Sequence, residues 1–263
     1  MNTPATPSKR QMLSKVPEAT LLFWVVKIMA TTVGETVSDY FNTTLKFGLV
    51  GTFFVMAAIL ILALVFQFRL RMYVPAVYWF VVVLISVVGT LITDYLHDSR
   101  GVELRPLTIG FSIALIVCFS VWYASEKTLS IHSIFTVKRE AFYWLTILCS
   151  FALGTAAGDY LGESVFKSFW KAGLAFSVFI AVVAFAHFVL KLNGILAFWL
   201  AYIVTRPLGA SIGDYLSAAK GDGGRNLGTT VVSAAFLATI VAAVVYLTKT
   251  KADVIELEPR PAY

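Results

Sequence analysis

Long apolar runs separated by short polar segments dominate the hydrophobic pattern of this chain. Eight of the runs reach the roughly 20 residues that an α-helix needs to cross a hydrocarbon core of about 30 Å. Gly, Pro and β-branched residues inside the runs do not argue against helices, because a spanning segment must satisfy its backbone hydrogen bonds internally. The predicted transmembrane helices cover residues 18–41, 46–68, 74–97, 104–124, 139–162, 168–190, 194–218 and 226–248.

A short motif recurs four times, once in each odd-numbered predicted helix. Each copy has an aromatic residue and a Trp, a Gly ten residues after the Trp, and Asp-Tyr at the fifth and sixth residues after that Gly. The Gly and Asp pairs are Gly34 and Asp39, Gly89 and Asp94, Gly154 and Asp159, and Gly209 and Asp214. Fixed spacing in four copies indicates four two-helix repeats. Two helices per repeat point every copy in the same direction, so the repeats are parallel.

The spacing of the motif also predicts the organisation of the chain. Successive motif Asp residues are 55, 65 and 55 residues apart, so a unit of two copies has itself been duplicated. We predict an all-α polytopic membrane protein of eight transmembrane helices, with two four-helix halves related by a pseudo-two-fold axis. The halves are 18–124 and 139–249, joined by a cytoplasmic linker at 125–138. The polar ends, 1–17 and 250–263, are expected to be disordered.

Composition and charge narrow the functional class. Hydrophobic residues make up 59% of the 263 residues, charged residues only 14%, and the mean hydropathy is +0.81, all typical of a membrane protein. The net charge of +6 comes without a compact basic cluster, so we expect no nucleic-acid partner. No nucleophile motif, phosphate loop or His/Cys metal-binding pair appears, so we expect no enzyme, no cofactor and no tetrahedral zinc site.

The distribution of Lys and Arg predicts the orientation in the membrane. Twelve of these residues lie on the side of the two termini and seven on the opposite side, which favours both termini in the cytoplasm. The motif Trp residues are then expected in the inner aromatic belt, with the ring in lipid and the N–H in water. At 1.5 Å per residue, each Gly lies about 15 Å beyond its Trp and each Asp about 22 Å beyond it.

Four parallel copies place four carboxylates at one depth. Small residues beside each motif Gly allow close helix packing, so we expect the odd helices to form an inner ring and the even helices a lipid-facing jacket. A basic residue opens each even helix, and each Asp has two alternative roles, structural pairing with that residue or function. The basic residues are Lys46, Arg105, Lys171 and Arg225.

The four copies differ in their charged residues. Only the first has Lys27 and Glu35, and only the fourth has Arg206-Pro207. A charge at the depth of Glu35 is costly in the bilayer, which makes this residue the main functional candidate. Lys27 and Arg206 are the predicted charge partners. For Lys27 the favoured alternative is snorkelling to the interface. For Arg206 a structural pair with Glu35 and a functional role both stay open.

Three hydroxyls complete the predicted ion-binding residues. Thr31, Thr32 and Thr36 lie within about a turn of Glu35 or Asp39 and offer oxygen ligands. Pro207 removes a backbone N–H, which would free the carbonyl of Ile203. Together with Asp94, Asp159 and Asp214, these groups suit a hard cation.

The combined motif resembles a known family. Four Gly-x4-Asp-Tyr repeats, with Glu35 in the first and Arg206-Pro207 in the last, are similar to a bacterial integral membrane family of unknown function, usually labelled "membrane-anchored protein". The resemblance implies a multi-pass protein of the bacterial inner membrane, with at most a loose association with metal tolerance.

Our first hypothesis is a secondary transporter that exports a metal ion or another small cation, coupled to protons through Glu35 and one or more of the four motif Asp residues. The alternatives are a cation channel with a ring of Asp at its mouth and a scaffold whose charges pair internally. Small cations, protons and lipid are therefore the expected partners, and homo-oligomerisation stays open.

Overall fold

The computed structural model describes residues 14–254, and these contain eight long helices and no strand. All eight are long and apolar enough to cross a membrane. The prediction of an all-α protein with eight transmembrane helices is confirmed. The helices are α1 (Leu21–Asp39), α2 (Gly48–Arg69), α3 (Pro75–Asp94), α4 (Leu104–Glu126), α5 (Val137–Asp159), α6 (Phe169–Phe188), α7 (Gly194–Ser217) and α8 (Thr229–Thr250).

Local sequence signals set where these helices begin and end. The Thr20 and Thr136 hydroxyls accept backbone N–H bonds at the starts of α1 and α5. Pro75 occupies the first turn of α3, where no backbone donor is needed. In the first three repeats the motif Tyr begins a π-helical turn directly after the motif Asp, an irregularity that often marks functional sites.

The four odd helices form a closed ring. α1 packs against α3, α3 against α5, α5 against α7, and α7 back against α1. At every joint, the motif Gly of one helix faces the residue three positions before the motif Gly of the next helix. These pairs are Gly34 with Ser86, Gly89 with Phe151, Gly154 with Arg206, and Gly209 with Thr31. The absence of a Cβ lets the backbones approach closely, so one sequence position builds all four joints.

The even helices surround this ring, and each packs on the odd helix of the following repeat. α2 lies on α3, α4 on α5, α6 on α7, and α8 closes the circle on α1. Within their most apolar windows the even helices are 22% buried, against 56–72% for the odd helices. The ring and jacket are therefore confirmed. However, α4 and α8 each cross between the predicted four-helix halves, so the halves interlock instead of standing as separate units.

The two ends of the ring have different chemistry. We call the end where the odd helices begin the Trp end, and the end where they finish the Asp end. Trp79, Trp144 and Trp199 are each at most 4% exposed, so the prediction that they lie in a lipid-facing belt is wrong. Their rings pack instead against other aromatic residues of the ring helices.

Both chain ends contribute to the Trp end. The Lys15 ammonium lies 2.5 Å from the Glu140 carboxylate at the start of α5, and both residues are buried. Tyr73 donates to the Asp253 carboxylate at 2.5 Å. Of the ends predicted to be disordered, 14–17 and 250–254 lie within the described residues. The prediction is wrong for these two stretches, because they pack on the ring. Residues 1–13 and 255–263 lie outside the described part of the chain.

Candidate functional site: a charged axis inside the helix ring

Four carboxylates, one from each ring helix, meet at the Asp end. All four are partly exposed, and all lie close enough to Glu35 to be repelled by its charge. Asp94, Asp159 and Asp214 also lie within the electrostatic range of Asp39. The structure thus brings the predicted carboxylates together around the ring axis, where like charges create a field that attracts cations.

The alternative of pairing with neighbouring basic residues does not hold for three of these carboxylates. Among residues 14–254, no ion pair joins Asp94, Asp159 or Asp214 to a basic side chain. The Arg225 guanidinium instead lies over the ring of Tyr215, 5.3 Å from its centre. A carboxylate that is not neutralised by its own chain is available to an external cation.

One turn deeper, a single guanidinium contacts the three other ring helices. Arg206 of α7 donates from Nη2 to Glu35 Oε2 at 2.8 Å, to Thr155 Oγ1 at 2.8 Å, and to Thr90 Oγ1. Thr90 in turn donates to the same oxygen of Glu35 at 3.4 Å. We call these four residues the Arg206 cluster. The predicted pairing of Glu35 with Arg206 across the two halves is present.

Two Gly residues on α5 make room for Arg206. A Cβ at Gly154 would overlap the side-chain stem of Arg206, and a Cβ at Gly158 would meet Pro207 at 3.3 Å. Helix α7 runs without a break across Pro207, so the ring of the proline serves as a packing surface. Gly154 and Gly158 therefore leave the space that the Arg206 stem and Pro207 occupy.

The Arg206 cluster is sealed on every side but one. Arg206, Thr90 and Thr155 are 0% exposed, whereas Glu35 is 7% exposed. The guanidinium is also incompletely satisfied, because Nε and Nη1 are buried without a hydrogen-bond partner. Solvent therefore reaches the cluster through Glu35, on the side of the partly exposed Asp residues.

Lys27 lies deeper still, toward the Trp end, and is fully buried. Its ammonium donates to the Tyr202 carbonyl oxygen at 2.8 Å and to Thr205 Oγ1 at 2.5 Å, and lies 3.8 Å from the centre of the Tyr202 ring. Snorkelling to the interface is wrong for this residue. So is a carboxylate partner, because its contacts are a carbonyl, a hydroxyl and aromatic faces.

The three predicted hydroxyl ligands serve helix packing instead. Thr31 donates to the Ile28 carbonyl at 2.7 Å, and Thr32 donates to the Gly209 carbonyl at 2.8 Å. Thr36 accepts a bond of 2.6 Å from Ser233 of α8. A helix advances about 100° per residue, so the flanks of α1 face α7 and α8 when Glu35 faces the axis. Their assignment as ion ligands is therefore not supported by their contacts.

The sequence interpretation missed two members of the Arg206 cluster. Thr90 and Thr155 occupy the position directly after the motif Gly, which is the position of Glu35 in the first repeat. Superposing the repeats on the motif Gly would have identified them, because equivalent residues on parallel helices of a ring meet at one depth. Ala210 holds the fourth equivalent position and adds no polar group.

The arrangement of donors limits how a cation could bind. In the described residues 14–254, no three His, Cys, Asp or Glu side chains are close enough to hold one metal ion together. Direct coordination of a bare ion needs several oxygens at about 2.0–2.6 Å from it. The motif Asp residues do not form such a group, which suits a cation that keeps its water shell or an organic cation.

Comparison with known proteins identifies the repeats. A family model described as "Repeat of Unknown Function (DUF347)" matches residues 22–73, 77–128, 142–192 and 197–253. Each match covers most of one odd helix and the whole of the even helix that follows it. No curated protein and no solved structure matches the chain.

Proposed function

The chain belongs to this DUF347 repeat family, and we propose that it is a secondary transporter that exports a small cation in exchange for protons. One observation carries the proposal: five carboxylates gather on the axis of a membrane-spanning ring, and the four motif Asp residues among them are partly exposed at one end of it. An acidic group inside a membrane protein normally serves a transport or proton pathway. The site that the proposal requires consists of Glu35 and the four motif Asp residues.

Glu35 is the residue at which cation and proton would compete. Its carboxylate already holds one cation, the Arg206 guanidinium, at 2.8 Å. A substrate cation that enters from the Asp layer would meet Glu35 first, since the other members of the cluster are fully buried. Arg206 is then the internal counter-charge of Glu35 when no substrate is bound.

The closed Trp end favours a transporter over a channel. A channel needs a continuous path, whereas aromatic rings and Lys27 fill the axis between the Arg206 cluster and the Trp end. Passage would require this end to open while the Asp end closes, which is alternating access. The substrate we favour is a hydrated or organic cation, because no three acidic side chains of residues 14–254 are grouped closely enough to coordinate a bare ion together.

Flux into proteoliposomes tests the proposal. Purified protein is reconstituted, and uptake of Na⁺, K⁺, Mg²⁺, Mn²⁺ and tetramethylammonium is measured with and without a pH gradient. The proposal predicts that one of these cations moves only when the gradient is present, and that Glu35→Gln abolishes this movement. Equal flux of every cation at all gradients, before and after the substitution, would contradict it.

A control variant, compared with Glu35→Gln in the same assay, distinguishes the three function classes. Glu103→Gln changes an exposed carboxylate at the start of α4, outside the motif positions, and should leave the flux intact. A channel would keep its passive flux in Glu35→Gln, and a scaffold would show no flux in either protein while the substitution changed only its stability. The three function classes therefore give different results in one assay.

A further inference from the structure

The two cysteines of the chain meet at one helix interface. They are Cys118 on α4 and Cys149 on α5, and both are free thiols. The Cys118 sulfur lies 3.2 Å from the Thr146 hydroxyl of α5. Cys149 follows Thr146 by three residues and therefore lies on the same face of that helix. The two thiols are close enough to hydrogen-bond to each other.

Chance does not readily explain this contact. A buried residue touches about 6–12 others, so a second cysteine placed at random in a chain of 263 residues would meet the first in roughly one case in thirty. A free thiol also packs as a small hydrophobe, and that role does not require a second thiol beside it. The pairing therefore indicates chemistry that needs two thiols.

The thiol pair lies deep in the membrane-spanning part of the fold. Cys118 and Cys149 are both near the middle of helices that are long and apolar enough to cross a bilayer. Cys118 is buried, whereas Cys149 is partly exposed. The face of α5 that carries Thr146 and Cys149 packs on α4 of the jacket, away from the ring axis. At this depth the exposed part of Cys149 meets lipid.

This environment selects the kind of oxidant that can react with the pair. Disulfide formation removes two electrons from two thiols. A charged or strongly hydrated oxidant does not enter the hydrocarbon core, because the loss of its hydration is too costly. A lipid-soluble quinone does enter it, and accepts two electrons together with two protons. The buried Thr146 hydroxyl can donate to the Cys118 sulfur while that thiol loses its proton.

We propose that Cys118 and Cys149 are an oxidisable dithiol, which a lipid-soluble quinone converts to a disulfide between α4 and α5. Two S–H bonds break and one S–S bond forms, while two electrons and two protons pass to the quinone, which leaves as a quinol. The bond joins the jacket helix of the second repeat to the ring helix of the third. The inference does not depend on the proposed transport function.

The simpler alternative is that the two thiols only fill space between α4 and α5. Cys118→Ser and Cys149→Ser separate the two roles, because each keeps a small side chain and leaves one thiol without its partner. Each single variant also reports any reaction of a lone thiol with the quinone. Thr146→Val keeps the shape of the side chain and removes the hydroxyl beside Cys118.

The experiment counts free thiols after exposure to a quinone. Each protein is reconstituted in liposomes, treated with decylubiquinone, denatured in the presence of an alkylating reagent, and weighed by mass spectrometry. Oxidised wild-type protein should carry no alkyl label and weigh two hydrogen atoms less than the reduced chain, and dithiothreitol should restore two labels. Each Ser variant should keep its one label throughout. Thr146→Val should form the bond about tenfold more slowly, the effect of losing one hydrogen bond to a charged group.

Two results would overturn the inference. Two alkyl labels on the quinone-treated wild type would show that the pair is not oxidised and only packs. Loss of the label from the single Ser variants as well would show that each thiol reacts on its own, without a bond between α4 and α5. Both results leave the transporter proposal standing, and a lack of cation flux would not change the count of thiols.

Discussion

The two ends of the helix ring are built from the same four repeats and yet close in different ways. At the Trp end, aromatic rings fill the axis, and Ser14–Pro17 and Asp253 pack over the helix ends through the buried pair of Lys15 and Glu140 and the bond from Tyr73 to Asp253. At the Asp end, four carboxylates remain partly exposed. The repeat itself supplies the aromatic residues of one end and the carboxylates of the other, whereas the residues that vary between repeats, Lys27, Glu35 and Arg206, place buried charges along the axis between them.

The largest loss of stability is expected for the ion pair of Arg206 and Glu35, which lies between the two ends. Arg206→Met removes the counter-charge of Glu35 and leaves a carboxylate unpaired beside Thr90, which should cost about 3–5 kcal/mol of folding free energy. The double variant Glu35→Gln/Arg206→Met should recover most of that loss. Unfolding in detergent, followed by tryptophan fluorescence, measures both. No recovery in the double variant would mean that the two side chains are not coupled.

The Trp end contains a second buried ion pair. Lys15→Met leaves Glu140 with only its bond from Gln67, and we expect a loss of about 3 kcal/mol, the lower end for a broken buried pair. Lys138→Met removes a solvent-exposed partner of Glu126 and should change the unfolding curve little. Equal effects of the two substitutions would show that the N-terminal segment does not seal this end.

Close helix contact at the ring joints gives a third, smaller effect. Gly154→Ala places a methyl group against the stem of Arg206 and should destabilise the ring by about 1–3 kcal/mol. Gly110→Ala in the jacket meets nothing within 4 Å and should be neutral or stabilising. Melting temperatures of the two variants test the difference between ring and jacket.

At the Asp end, substitution should affect binding more than stability. Asp94 has no ion-pair partner within the described residues, so Asp94→Asn removes mutual repulsion at little cost to folding. The same change should weaken cation binding measured by calorimetry. A large loss of stability with unchanged affinity would instead assign Asp94 a structural role.

The smallest effect concerns pH at the Trp end. The folded-state pKa of Asp253 is raised above its unfolded value of 3.8 by burial, so the folded protein binds this proton more tightly. The contribution of Asp253 to stability is therefore present at low pH and is lost as the pH rises through the folded pKa. Asp253→Asn should remove this dependence, and the wild-type and variant melting temperatures should converge as the pH falls. Curves that stay parallel would contradict the assignment.

The sequence allowed much of the fold to be predicted, because the repeated motif carries both length and register. Apolar run length located the eight helices, and the spacing of the motif Gly and Asp predicted that equivalent residues share a depth. The packing of α8 on α1 was not predictable in the same way. Each even helix could pack mainly on the odd helix of its own repeat or on that of the following repeat, and the motif spacing does not distinguish the two.

The sequence predicted the members of the site that carry a charge inside an apolar run, and it missed the members that are small uncharged residues. Glu35 and Arg206 stood out as charges inside apolar runs, and they form the predicted pair. Thr90 and Thr155 resemble ordinary small residues in sequence, and only their position on the axis gives them a role. Lys27 was placed wrongly because the sequence does not show that aromatic faces and a carbonyl surround it.

The most direct test of the account is the accessibility of the two halves of the axis. In a background with Cys118→Ser and Cys149→Ser, Asp94→Cys or Asp214→Cys is compared with Val82→Cys or Ile147→Cys, using a membrane-impermeant thiol reagent. The account predicts fast labelling of the two Asp-end positions, slowed by the transported cation, and no labelling at Val82 and Ile147, which are 0% exposed. Equal labelling of all four positions, or none at the Asp end, would contradict it.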